Sequence, residues 1–175
     1  MSGVDTRTIL DRRAYFPRGL VQPEDGYRFS LDSLLLASAR GQKGLDLGCG
    51  CGVVALALLL RQPGLRLNGI ELNPHSVETA KENAVNLHLT DKLTIVRGDV
   101  AGWRPENVVD FVVANPPYRK LGQGRSSMEE DRRNARFEGT GTFAAFARCA
   151  AVALKTRGRF AFVHLPERLA EIMAD

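Results

Sequence analysis

Two short stretches hold residues whose types and spacing point to chemistry. The first is Leu45-Asp46-Leu47-Gly48-Cys49-Gly50-Cys51-Gly52, three glycines alternating with small residues behind an aspartate. Glycines let the backbone turn tightly and approach a ligand, and a helix that follows them offers free N–H groups to it. Glu71 comes about 20 residues later, where a carboxylate accepts hydrogen bonds from ribose hydroxyls. The second stretch is Asn115-Pro116-Pro117-Tyr118. A proline fixes its own φ and restricts the residue before it, so Asn115 is held in a narrow extended conformation. The Asn115 amide oxygen and the Pro116 carbonyl then stand as two neighbouring acceptors. A planar NH2 group is a poor nucleophile because its lone pair is delocalised. Two acceptors that bind both hydrogens draw such a nitrogen toward tetrahedral geometry and turn its lone pair toward an electrophile. Rate comes from positioning and from acceptors placed where positive charge grows, so no strong base is needed. Tyr118 adds an aromatic face for a base taken out of its stack. Read as structure alone, the glycines make a turn and the prolines stop a strand.

The elements around these residues alternate. Residues 1–28 are polar, rich in Arg and Pro, and read as an irregular lead-in. Ser30 can cap a helix from Leu31 to about Arg40, ended by Gly41. Leu45–Leu47 reads as a strand before the glycine loop, and Val53–Arg61 as a buried helix stopped by Pro63-Gly64. Leu65–Ile70 reads as the next strand, and Asn73-Pro74 supplies an N-cap and an N1 proline for a helix to about Leu87. Leu93–Arg97 and the apolar run Val108–Ala114 are further strands, the latter of the kind found at the centre of parallel sheets. Thr142–Lys155 has helical spacing, Gly158 breaks it, and Arg159–Leu165 reads as a fifth strand. Strands alternating with helices mean βαβ crossovers, hence a doubly wound α/β fold with a parallel sheet. The tetrapeptide then sits at the carboxyl edge of the sheet, where such folds bind ligands.

The Asp-x-Gly-x-Gly-x-Gly spacing differs from the Gly-x-Gly-x-x-Gly of dinucleotide folds. It resembles motif I of Rossmann-like methyltransferases, which bind S-adenosylmethionine. The resemblance implies that Gly48 and Gly50 pack on the cofactor, that Asp46 reaches its amino-acid portion, and that Glu71 holds its ribose. Asp99, in Gly98-Asp99 after the third strand, falls where that family binds the adenine amino group. The resemblance also implies that Asn115 contacts the methyl donor. The tetrapeptide Asn115, Pro116, Pro117, Tyr118 is similar to the catalytic signature of amino-methyltransferases acting on adenine N6, cytosine N4 or a glutamine amide. Tyr27-Arg28-Phe29, Asp32, Leu35-Leu36-Ala37, the tetrapeptide, and Ala135-Arg136 with Glu138 together resemble the bacterial adenine-N6 methyltransferases of valine tRNA over most of residues 22–167. That resemblance implies an S-adenosylmethionine-dependent enzyme acting on an exocyclic amine of a base, adenine N6 in tRNA. Guanine-N2 methylation of ribosomal RNA, a glutamine-amide protein acceptor, and a non-catalytic cofactor- or RNA-binding module stay open. Release-factor glutamine methyltransferases carry a helical domain ahead of the glycine loop, and only 44 residues precede Leu45 here.

The whole chain bounds these readings. Its 175 residues, 44% hydrophobic and 25% charged, make one ordinary domain and exclude disorder or coiled coil as a global description. The expected division is 1–28 lead-in, 29–41 N-terminal helix and 42–175 cofactor-binding core. The longest apolar run, Val53–Leu60, is too short to span a bilayer. Three dispersed cysteines give no disulfide framework and point to a reducing, cytoplasmic setting. Cys49 and Cys51 lack a second ligand pair, with His75, His88 and His164 scattered, so no metal is expected. The net charge of +4 tolerates a polyanion. Between 119 and 140 the periodicity lapses. Arg119, Lys120 and Arg125 there, with Arg12, Arg13 and Arg18 ahead, read as RNA phosphate contacts on a mobile lid, the alternative being a solvated charged loop. The methyltransferase family continues past the fifth strand with a helix and an antiparallel hairpin. The chain stops at Asp175, so that hairpin is expected to be missing, leaving an edge that favours a homodimer or lowers stability.

Overall fold

The computed structural model describes residues 13–23, 31–106, 108–116 and 143–164, with positions 166, 170 and 172. The expectations placed on Ser30, on Pro117 and Tyr118, on Arg119, Lys120 and Arg125, and on the rest of 117–142 fall outside these residues.

The chain runs through α1 (Leu31–Leu35) with a 3-10 turn (Leu36–Ser38), β1 (Lys43–Leu47), α2 (Val53–Arg61), β2 (Arg66–Glu71), α3 (Pro74–Asn86), β3 (Leu93–Arg97), β4 (Val109–Ala114), α4 (Phe143–Ala153) and β5 (Leu154–Phe162). The strands form one sheet in the order β3-β2-β1-β4-β5, and every pairing is parallel. This is the doubly wound arrangement, with the strand order reversing between β1 and β4. No helix among the described residues is long and apolar enough to cross a membrane.

Alternation along the central strands explains the two cores. On one face α2 buries Val53 to Leu59, which pack with Leu67, Phe111 and Val113. On the other, Phe146, Cys149 and Ala150 of α4 cover Leu45, Leu47, Val112 and Ala114. Gly44 is paired in register with Phe111, and a Cβ added to it would clash with the edge of the Phe111 ring. Because Phe111 is 1% exposed, the ring has no room to retreat. Gly44→Ala is therefore expected to cost about 1–3 kcal/mol by overpacking, read as a lower denaturation midpoint with an unchanged slope.

The N-terminal edge of the sheet is stapled by Asp110. Its Oδ2 accepts the backbone N–H groups of Gln42 (2.6 Å) and Lys43 (2.9 Å), and Lys155 pairs with its other oxygen. The Lys155 hydrogen bond and these two N–H donors hold the Asp110 carboxyl down to about 2. The staple is thus in place above the ordinary range for aspartate and is lost only in strong acid.

Two expectations are corrected. The helix read to about Arg40 is α-helical only to Leu35, then tightens, and the chain is extended by Ala39. The Gln62 side chain imposes this: its Nε2 donates to the Ala39 carbonyl (2.7 Å) and its Oε1 accepts from the Gly41 N–H (3.4 Å). The fifth strand, read from Arg159, begins at Leu154 directly after α4. Two steps along β4 (Val109 to Phe111) match five along β5 (Leu154 to Arg159), so the extra residues form a bulge in which Arg157 takes φ 65°. Gly158 marks that bulge rather than a break between elements. The lead-in, read as irregular, is pinned where it is described. Arg13 donates through Nε and Nη2 to the Leu87 carbonyl (3.1 and 2.7 Å) at the end of α3, and through Nη2 to His88 (3.2 Å).

Candidate functional site

Strand register brings the expected residues to one edge. Leu47 pairs with both Ile70 and Ala114, and Glu71 pairs with Arg97. The next residues along, Gly48 after β1 and Asn115 after β4, therefore stand beside Glu71 at the carboxyl ends of three adjacent strands. Asp99 follows two residues beyond Arg97 on β3. Asp46, Gly48, Gly50, Glu71, Asp99 and Asn115 thus share the edge that flanks the switch in strand order.

The glycine loop is fixed by β2. Gly48 and Cys49 both donate backbone N–H groups to the Ile70 carbonyl (2.8 and 3.0 Å). Gly48 and Gly50 adopt φ of 67° and 54°, a region that side chains with a Cβ rarely enter. A Cβ on Gly50 would meet nothing within 4 Å, so the backbone there borders open space that a ligand can fill. Cys49 is explained by packing: its Sγ lies 2.8 Å from where a Gly69 Cβ would stand, so sulfur fills the gap left by that glycine. Burial pushes the Cys49 thiol well up and the Cys51 thiol up, which suits packing rather than ligation. No group of three or more His, Cys, Asp or Glu among the described residues is placed to hold a metal ion.

Glu71 organises the loop as well as facing it. Oε2 accepts the Gly50 N–H (2.9 Å) and Oε1 accepts the Asn73 N–H (2.8 Å), tying the glycine loop to the start of α3. Asn73 caps that helix as expected, its Oδ1 accepting from His75 (2.8 Å) and Ser76 (3.4 Å) with Pro74 at the first turn. A carboxylate has about four acceptor positions, so two backbone bonds still leave capacity for a ribose. Glu71→Ala orphans two N–H groups at once. The expected result is a loss of about 2 kcal/mol in stability, hence a melting point lower by about 4–8 °C in a thermal melt.

Asp46 is 2% exposed and sits beneath the loop. The Ala55 N–H at the start of α2 reaches its carboxylate, yet Oδ2 has no hydrogen-bond partner among the described residues. Desolvation by burial, opposed by the Ala55 N–H and assisted by the Glu71 charge, raises the Asp46 carboxyl to about 7. A buried carboxylate oxygen without a partner is costly, and it is the kind of atom that a cationic or N–H-bearing ligand satisfies. Asp99 serves its own turn: Oδ1 accepts the Ala101 N–H (2.9 Å), and its carbonyl accepts from Gly102 and Trp103.

Two residues that the sequence reading missed complete the site. Asn115 Nδ2 donates to the Ser33 Oγ at 2.8 Å, linking the tetrapeptide to α1 across 82 residues. Asn83, 1% exposed, holds the lead-in against the loop: its Oδ1 accepts the Val21 N–H (2.9 Å), and its Nδ2 donates to the carbonyls of Val21 (2.9 Å) and Cys51 (3.0 Å). Both carry the same signal, a polar residue on the apolar face of a helix. Ser33 stands three and four positions before the buried Leu36 and Ala37, and Asn83 continues the buried Ser76, Val77, Ala80 series.

Known proteins place this arrangement. The tRNA1(Val) (adenine(37)-N6)-methyltransferase of Pedobacter heparinus is 30% identical over 152 residues, 85% of this chain and 64% of that protein. The protein of the same name from Aliivibrio salmonicida is 27% identical over 142 residues, 79% of this chain and 60% of that one. The chain spans about three-fifths of the length of these curated relatives. A SAM-dependent methyltransferase from Thiobacillus denitrificans, solved in complex with S-adenosyl-L-homocysteine, shares the fold, with a TM-score of 0.54 at 21% identity over 90% of this chain and 54% of that one. Residues 25–168 match the methyltransferase small domain family, and the chain belongs to that family.

Proposed function

We propose that this chain is an S-adenosylmethionine-dependent methyltransferase that modifies adenine N6 in tRNA. The observation that carries the reading is the shared edge, where Asn115 follows β4 beside the loop formed by Gly48 and Gly50 and the carboxylate of Glu71. Family membership and the names of the relatives support the same chemistry.

The residues present fit the cofactor. Asp46 offers an unpartnered oxygen, Gly50 borders open space, and Glu71 and Asp99 present carboxylates at the ends of β2 and β3. Asp46, Gly48, Gly50, Glu71 and Asp99 would hold S-adenosylmethionine, which supplies an electrophilic methyl group on a sulfonium. Asn115 would lie beside that methyl group. Its amide oxygen and the Pro116 carbonyl accept the two hydrogens of the substrate amine and turn its lone pair toward the methyl carbon. The two acceptors would stabilise the positive charge that grows on the amine nitrogen as it takes up the methyl group the cofactor supplies. The extra proton passes to water, with no side-chain base required. Among residues read from the sequence alone, Pro117 would stiffen the corner, Tyr118 would stack on the extruded base, and Arg119, Lys120 and Arg125 would meet RNA phosphates. β5 is one of the two outer strands among the described residues, and pairing of its outer side with a second copy is part of the proposal.

Calorimetry with S-adenosylmethionine and with NAD tests the cofactor assignment. Binding of the former alone is expected, and binding of NAD alone would place the chain with the nicotinamide enzymes instead.

A further inference from the structure

We infer that Ser33 is a positioning residue for Asn115, holding the amide in the orientation that methyl transfer needs. The inference rests on the proposed reaction for its kinetic consequence but on geometry for its existence.

An asparagine amide is close to symmetric in shape and opposite in chemistry at its two ends. If Nδ2 rather than Oδ1 faced the substrate amine, two donors would oppose each other and the lone pair would not be drawn out. The prolines after Asn115 restrict its backbone, but they do not fix rotation of the side chain. The 2.8 Å contact from Nδ2 to Ser33 Oγ restrains that rotation and fixes the plane of the amide, and in the observed orientation Oδ1 lies on the other side of the amide carbon. Ser33 is itself held. It is 1% exposed, it lies on the helical face that buries Leu36 and Ala37, and α1 packs directly on α2 behind the glycine loop. The anchor is therefore a buried atom on a packed element, which preorganises the acceptor before substrate arrives. The same contact couples α1 to the catalytic corner, so the segment ahead of β1 contributes to the reaction as well as to packing.

Two measurements on the 175-residue chain test this, using Ser33→Ala, which removes one oxygen and adds no bulk. The first needs no acceptor. In an NMR spectrum the Asn115 side-chain NH2 is expected to show slowed exchange with water in the parent chain and faster exchange in Ser33→Ala. Unchanged exchange would overturn the inference whatever the substrate proves to be. The second is kinetic. Loss of a single neutral hydrogen bond predicts a fall in kcat of roughly five- to tenfold, with KM for tRNA and the dissociation constant of S-adenosylmethionine within about twofold. In an Asn115→Ala background, followed by slow incorporation of labelled methyl, the same change is expected to have no further effect. A further fall there, or a change in KM and cofactor affinity with kcat intact, would show a merely structural role. A parent chain that transfers no methyl to tRNA while the NMR change is seen would sink the proposed acceptor and leave the anchor standing.

Discussion

Replacing Asn115 by alanine is expected to lower methyl transfer by about 10²–10³-fold, while S-adenosylmethionine binds within about twofold of the parent affinity. The side chain sits half-buried at the end of β4, and in the proposed reaction it is one of two acceptors for the substrate amine. Removing it leaves Pro116 to act alone. The glycine loop is tied to β2 through Ile70 and Glu71, independently of Asn115, so cofactor binding has no reason to change. Single-turnover transfer measured beside calorimetry reads both quantities. Loss of cofactor binding with a normal rate at saturation would reverse the roles assigned to Asn115 and Glu71.

The second large effect concerns Asp46. Burial keeps its proton in place to about pH 7 in the folded chain, whereas an ordinary aspartate ionises near 3.8. Between those values the folded state binds the extra proton, so stability falls as pH rises from about 4 to about 7. Asp46→Asn removes the charge and keeps an acceptor for the Ala55 N–H. The variant is therefore expected to be more stable than the parent without cofactor, by up to about 4 kcal/mol above pH 7 and by little near pH 4. The same change replaces the unpartnered oxygen by an NH2 and is expected to weaken S-adenosylmethionine binding by roughly tenfold or more. Thermal melts at pH 5 and pH 8, with calorimetry at pH 8, check both halves. A gain that does not depend on pH, or unaltered cofactor affinity, would contradict the account. The trade is of a familiar kind, in which a site keeps a strained polar atom because the ligand needs it.

Much of this was legible in the residues. Alternating apolar runs gave the order of strands and helices, and Asn73-Pro74 gave the start of α3, because those signals are local. Gly48, Glu71 and Asn115 could be nominated because turn chemistry and strand ends mark ligand edges in α/β folds, and Asp46 through the resemblance of its loop to motif I. What was not legible depended on contacts between distant segments. The early end of α1 follows from the Gln62 amide, 23 residues away from the Ala39 carbonyl it binds. The β5 bulge follows from the register imposed by β4. Ser33 and Asn83 look like minor polar interruptions of apolar helical faces until their partners, Asn115 and Val21, are brought beside them. Their type and position announced that a partner must exist; only the fold says which one.

The most direct test is mass spectrometry of nucleosides from unmodified tRNA incubated with this chain and S-adenosylmethionine. The account predicts N6-methyladenosine, absent when the Asn115→Ala variant is used. N2-methylguanosine as the sole new nucleoside, or N6-methyladenosine formed equally well by Asn115→Ala, would contradict it.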